Sequence, residues 1–127
     1  MAKFSKASAT QHEEAEGFEG HYAEAHGYTI GFENYTEDVD LTPLFKGLPN
    51  DRCQSPHWGI VLKGRLIYHY GNGSKDVIDA GEAYYTPPDH TPELTAGTEV
   101  VEFSPSDDFA KTVEVVMKNA QAAEASA

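Results

Sequence analysis

Apolar and polar residues alternate with a period of two through the central part of the chain, which predicts a set of β-strands. Over residues 28–35, Tyr28, Ile30 and Phe32 fall on one side of such a strand and Glu33 falls on the other. Further strands are predicted over residues 57–62, 65–70, 75–79, 83–86, 92–95 and 98–103. Short strands with closely spaced turns are typical of an antiparallel sandwich or barrel.

Turn residues separate these strands. The sequence reads KG at 63–64, GNG at 71–73 and AGE at 80–82, and glycine and asparagine tolerate the positive φ that tight hairpins need. Pro87 and Pro88 end the strand before them, because proline cannot donate a hydrogen bond to a sheet. The spacing indicates hairpins and gives no sign of parallel strands joined by helices.

The beginning of the chain lacks this pattern. Residues 1–27 are acidic and show no steady period. We expect a flexible acidic arm that adds one short edge segment to the barrel or to a partner subunit. The arm contains His12, His21 and His26, which we expect to be solvated.

A helix is predicted at the other end, over residues 105–120. Ser106 suits the N-cap position, and an apolar stripe follows it at helical spacing. The stripe consists of Phe109, Val113, Val116 and Met117. We expect this helix to pack on the outside of a barrel formed by residues 28–104, and residues 121–127 to fray.

The composition of the chain excludes some classes of function. The chain has 127 residues, enough for one domain, and 9 basic against 21 acidic residues give a net charge of -12. Nucleic acid and anionic membranes both attract basic proteins, so this charge argues against both as partners. A single cysteine excludes an intrachain disulfide, and no apolar leader or transmembrane run occurs, so we expect a cytoplasmic location.

Two segments carry a resemblance to the cupin superfamily. One cupin pattern begins with a glycine, five residues and a proline, and here Gly81 is followed by five residues and Pro87. The glycine that the pattern places next corresponds to Asp89, which can also adopt a turn conformation. The metal-binding histidine of the pattern would be His90, which comes early, since the expected position is Pro92.

The other cupin pattern, a His-x-His pair followed by a Glu and a Gly, is altered here. The run IVLKG resembles the end of that pattern and places its glycine at Gly64. His57 then occupies the Glu position, and Asp51 and Cys53 occupy the two His positions. A rival alignment starts the pair at His57 and puts Gly59 at its second position, which leaves no second ligand.

The resemblance implies a double-stranded β-helix, or jelly roll, that holds a divalent metal. Asp51, Cys53, His57 and His90 would then be the ligands, and a thiolate with two imidazoles favours Zn²⁺ or Fe²⁺. The alternatives are that Cys53 is a small buried residue, that Asp51 lies in a turn, and that His57 is structural. Neighbouring polar residues are secondary candidates. One of Tyr84 and Tyr85 should line the pocket, and Glu102 should lie near its mouth.

Two functions follow from these expectations. The first is a metal-binding cupin that holds a small organic molecule and, if it is an enzyme, uses the metal as a Lewis acid or to activate dioxygen. The second is a metal-free module that binds or senses a small ligand. Trp58, Ile60 and Leu62 lie on the opposite side of their strand from His57 and Val61, so we expect them to face away from the pocket. They would then be covered by the C-terminal helix or buried between the subunits of a homodimer, and a homodimer is expected.

Overall fold

Antiparallel strands and one helix make up the computed structural model, which describes residues 3–126. The elements are β1 (Gln11–Ala15), β2 (Phe18–Ala25), β3 (Tyr28–Tyr35), β4 (Val39–Asp40), β5 (His57–Lys63), β6 (Arg65–Tyr70), β7 (Lys75–Asp79), β8 (Ala83–Thr86), β9 (His90–Leu94), β10 (Glu99–Pro105) and α1 (Ser106–Ser126). Two 3₁₀ turns, Thr42–Phe45 and Pro49–Asp51, lie between β4 and β5. The strands predicted from alternation are therefore present, with ends that differ by one or two residues.

The strands form two antiparallel sheets. One sheet has the order β1-β2-β3-β10-β5-β8 and the other has the order β4-β9-β6-β7. A buried cluster fills the space between them, with Tyr35, Val61 and Val100 from the first sheet and Leu66 and Tyr68 from the second. This arrangement confirms the predicted jelly roll with a C-terminal helix.

Successive side chains of β5 alternate between the inner and the outer face of the sheet. His57 and Val61 are buried, whereas Trp58 and Leu62 are 42% and 52% exposed. Phe103 on the neighbouring strand pairs with Trp58 and is also exposed, so an apolar patch lies on the outer face of the six-stranded sheet. The predicted direction of these side chains is therefore confirmed.

The N-terminal region differs from the flexible arm expected for residues 1–27. β1 and β2 pair along their length, and β2 pairs with β3, so both strands extend the six-stranded sheet. Tyr22 and Phe18 face the interior, where Tyr22 is 3% exposed. Gly20 lies between them and weakened the apolar signal, which is why the alternation is hard to see in the sequence.

The helix α1 continues to Ser126 instead of ending near residue 120, in keeping with the high helix propensity of its alanine-rich end. Its predicted apolar stripe faces the interior of the jelly roll. Asn119 fixes the helix to the first 3₁₀ turn by donating hydrogen bonds to the carbonyl oxygens of Leu44 (2.7 Å) and Lys46 (2.9 Å). No helix within residues 3–126 combines the length and the apolar character needed to cross a lipid bilayer.

Candidate metal and ligand site

Three of the four predicted ligands converge in the interior. His57 begins β5 in one sheet and His90 begins β9 in the other. Cys53 lies before β5 and forms a strand-like bridge with His90, in which its N–H donates to the His90 carbonyl oxygen at 2.8 Å. This bridge brings a loop residue to the start of β9, and the facing sheet supplies His57.

Their ligand atoms lie close enough for one ion. One donor atom from each of Cys53, His57 and His90 falls within 4.8 Å of the other two, and all three residues are buried. Cys53 Sγ is 3.5 Å from His57 Nε2, and the two imidazole rings are 4.9 Å apart between centroids. Thr112 of α1 adds a hydroxyl 3.4 Å from the same sulfur.

Hydrogen bonds from the other ring nitrogens fix how the imidazoles face. His90 Nδ1 lies 2.7 Å from the Pro87 carbonyl oxygen, which can only accept, so Nδ1 carries the proton and Nε2 has a free lone pair. His57 Nδ1 lies 2.7 Å from Ser104 Oγ, which leaves Nε2 directed toward the sulfur. Metal-binding histidines in proteins are oriented in the same way.

Burial keeps the three groups uncharged. It lowers the pKa of His57 to about 3, and it lowers the pKa of His90 to about 3 with a smaller contribution from His57. It raises the pKa of the Cys53 thiol to about 11, although hydrogen bonding with Thr112 and with the backbone of Ser55 opposes the rise. The imidazoles are therefore neutral near pH 7, as metal ligation requires, while the thiol has to lose its proton when an ion binds.

Asp51 does not join this group. It ends a 3₁₀ turn with a φ of 55°, is exposed, and accepts a hydrogen bond from the Gly47 N–H at 3.0 Å. The two His positions of the cupin pattern, here Asp51 and Cys53, are two residues apart and would face the same way on an extended strand, but the left-handed backbone at Asp51 breaks that relation. The structure thus brings together Cys53, His57 and His90 and places Asp51 on the surface.

A carboxyl group and two phenols lie beside His57. Glu102 Oε1 accepts hydrogen bonds from Tyr68 (2.5 Å) and Tyr84 (2.7 Å), and Glu102 Oε2 lies 3.6 Å from His57 Nδ1. Burial raises the pKa of Glu102 despite the two phenol hydrogen bonds. The separation of 3.6 Å matches an ion pair, but the lowered pKa of His57 and the raised pKa of Glu102 favour two neutral groups. The prediction that one of Tyr84 and Tyr85 points inward holds for Tyr84, whereas Tyr85 is exposed.

A second carboxyl group shares the same interior. Glu33 Oε2 accepts a hydrogen bond from Tyr22 at 2.6 Å. Burial, with repulsion from Glu102 as a smaller cause, raises the pKa of Glu33 from its ordinary 4.5 to about 8. At neutral pH this carboxyl therefore holds a proton that it can donate to a ligand.

These groups line one cavity of about 140 Å³. An engineered cavity of about 150 Å³ binds benzene, so this volume suits a small organic molecule. Cys53, His57 and His90 lie on its wall with Glu33 and Glu102, and the apolar stripe of α1 covers it. Within residues 3–126, no lysine or arginine lines it.

Comparison with solved structures identifies the fold. A structural-genomics protein of unknown function from Rhizobium leguminosarum matches with 22% identity and a TM-score of 0.59, over 82% of this chain and 94% of that one. An RmlC-like cupin from Shewanella frigidimarina matches with 18% identity and a TM-score of 0.55, over 83% and 92% of the two chains. The fold is that of a cupin.

A third similar structure is the polyketide cyclase RemF from Streptomyces resistomycificus, with 13% identity and a TM-score of 0.59 over 83% of this chain and 79% of that one. No protein-family model and no curated protein matches the sequence. The likeness therefore concerns the fold, and the activity of this protein has to be argued from its own residues.

One departure from the cupin pattern has a structural explanation. Asp89 stands where the pattern has glycine and adopts a φ of 76°, the left-handed conformation that the turn needs. Its carboxylate accepts a hydrogen bond from Gln54 at 3.1 Å, which ties the turn to the loop that carries Cys53. The altered turn keeps His90 inside the cupin interior.

Sequence reasoning missed the residues that surround the ligands. Ser104, Thr112 and Glu33 contact the cluster or share its cavity, yet none lies near a recognised motif. A signal for Glu33 was present, because it falls on the polar side of β3 together with Gly31, and that side faces the interior. Thr112 depends on where α1 packs, which local sequence does not specify.

Proposed function

We propose that this cupin binds one divalent metal ion, Zn²⁺ or Fe²⁺, through Cys53, His57 and His90, and a small organic molecule in the adjoining cavity. The proposal rests on three donor atoms that lie within 4.8 Å of one another. In both imidazoles Nδ1, the nitrogen on the other side of the ring, is already hydrogen-bonded. One thiolate and two imidazoles form a ligand set typical of zinc and are also compatible with iron.

The bound metal would supply a Lewis acid or a centre for dioxygen chemistry. The chain's own groups would orient the organic molecule. Glu102 Oε1 already accepts two phenol hydrogen bonds, which leaves Oε2, on the side of His57, as the oxygen available to a ligand. Glu33 offers a carboxyl proton in the same cavity. With no basic residue on the described wall, these groups favour a ligand that is largely apolar and carries neutral oxygen or nitrogen acceptors.

A second candidate function is a metal-free module that binds the same class of ligand. The favouring observation is that the two buried carboxyl groups already have hydrogen-bond donors within the protein. Tyr22, Tyr68 and Tyr84 pair with the two carboxyl groups, so these contacts require no positive charge.

Elemental analysis of protein purified without an affinity tag and dialysed against metal-free buffer separates the two functions. We expect one equivalent of metal to be lost in His57→Ala and in His90→Ala. Asp51→Asn is the matched control, because asparagine tolerates the left-handed backbone and the wild-type side chain lies on the surface. Metal content that is the same in the wild type and both histidine variants would rule out the metal site.

We further propose that the protein is a cytoplasmic homodimer that associates through the outer apolar patch. The patch consists of Tyr28, Trp58, Leu62, Tyr85 and Phe103, each more than 40% exposed. Contiguous exposed apolar surface of this kind is typical of association sites.

A further inference from the structure

A second group of histidines lies on the outer face of the N-terminal hairpin, away from the cavity. His12 of β1 and His21 of β2 are directly opposite each other in the antiparallel register. Their rings are stacked, with centroids 4.5 Å apart and planes inclined by 20°. Directly opposed residues on one face of such a pair have neighbouring Cβ atoms, so both imidazoles can reach a common ion.

A carboxylate completes the group. Glu19 is two residues from His21 and shares its face of β2, with Oε1 2.9 Å from His21 Nε2. One donor atom from each of His12, Glu19 and His21 lies within 4.8 Å of the other two. We propose that these residues form a second metal site, separate from the interior site, that binds Zn²⁺ or a similar divalent first-row metal ion.

The chemistry of the donors supports this assignment. Two imidazoles and one carboxylate form a ligand set that proteins use for Zn²⁺ and for other first-row metals. Glu14 lies opposite Glu19 in the register, on the same outer face, and can contribute a further oxygen. Lys6 is the positively charged neighbour that acts on Glu19, and it opposes binding. The net charge of -12 favours cation accumulation at the surface as a whole.

The position of the site gives the ion a structural role. Within the part of the chain that the structure describes, β1 is the edge strand of its sheet and pairs with β2. Its inner side, at Glu13 and Ala15, lines the cavity. An ion held by one ligand from β1 and two from β2 would link the edge strand to its neighbour and hold this wall in place.

Zinc titration by isothermal calorimetry tests the site in the tag-free full chain. We expect the wild type to bind one Zn²⁺ at this site, and His12→Ala and His21→Ala each to weaken that binding by roughly tenfold or more. His69→Ala is the matched control. His69 is also a partly exposed strand histidine paired with a glutamate, at 2.8 Å from Glu93, but it belongs to no three-residue donor group in the described chain.

The variant His57→Ala distinguishes the two sites. It should still bind Zn²⁺ at the hairpin, because His57 belongs to the interior group and not to the group of His12, Glu19 and His21. Glu19→Gln should weaken binding at the hairpin while leaving the histidines in place. The inference is overturned if His12→Ala binds Zn²⁺ as the wild type does, or if His69→Ala weakens binding as much as His12→Ala. Circular dichroism of each variant checks that the hairpin substitutions leave the fold intact.

Discussion

The substitution Glu33→Gln tests the claim that the cavity holds protonated carboxyl groups. Glutamine has nearly the same shape as a protonated glutamic acid and can still accept the hydrogen bond from Tyr22. It cannot ionise. The variant therefore removes the titration of residue 33 and leaves most of its contacts intact.

The sign of the effect follows from the direction of the pKa change. Burial raises the pKa of Glu33 from 4.5 to about 8 in the folded protein, so the folded state holds a proton that the unfolded state releases. The stabilising contribution is complete below about pH 4.5 and is lost progressively as the pH rises to about 8. Each pKa unit corresponds to about 1.4 kcal/mol, so the whole interval amounts to about 5 kcal/mol.

Urea unfolding between pH 5 and pH 7.5 samples about 3 kcal/mol of that loss, against a typical stability of about 5–15 kcal/mol for a domain. Chelator-treated protein is needed, so that metal binding does not contribute. His57 and His90 act in the opposite direction, because their pKa values are lowered to about 3 and acid therefore destabilises the fold. Their contribution is common to the wild type and the variant, so it cancels in the difference.

We expect the free energy of unfolding of Glu33→Gln to rise by about 3 kcal/mol relative to the wild type between pH 5 and pH 7.5. Glu99→Gln is the control, since Glu99 is a partly buried strand residue whose carboxylate pairs with Lys63 at 2.9 Å near the surface. Parallel pH curves for the wild type and Glu33→Gln would refute the assignment of a protonated carboxyl to the cavity.

Two further predictions concern the glycine turns between strands and the apolar patch on the outer face of the six-stranded sheet. Gly64→Ala should destabilise the protein by about 2–4 kcal/mol in urea unfolding, because the backbone has a φ of 79° and an added Cβ would lie 2.7 Å from Thr98 Cα. Gly73→Ala, with a φ of 88° and nothing within 4 Å of an added Cβ, should cost only about 1 kcal/mol. Trp58→Asp should convert a dimer into a monomer by light scattering after gel filtration, and a monomeric wild type would contradict the dimer proposal.

Local signals made most of the fold predictable. Alternation in β3 and β5 and the glycine turns depend on neighbouring residues, and the structure reproduces them. The N-terminal hairpin was missed because its outer face carries His12, Glu19 and His21, and Gly20 interrupts the apolar side. An edge hairpin with a polar outer face is hard to recognise in a sequence, because only the residues on its inner side have to be apolar.

The site residues were predictable only where the sequence could be aligned with a known motif. The cupin pattern located His57 and His90 and suggested Cys53, and all three meet in the structure. It failed for Asp51, because a pattern position specifies a place in the chain and not the backbone conformation there. Thr112 reaches the cluster from α1, and only the tertiary packing of that helix brings it there.

The raised pKa values of Glu33 and Glu102 also constrain what the cavity can bind. Burial makes both carboxyl groups hold a proton more readily than an exposed glutamate does. A cationic ligand would lower the pKa of both carboxyl groups and release protons to solvent. An anionic ligand would raise the pKa of both groups and would form hydrogen bonds with the acid protons. Because Glu33 is already largely protonated at neutral pH, an anionic or a neutral ligand changes its proton count little, so proton release on binding is the sign of a cationic ligand.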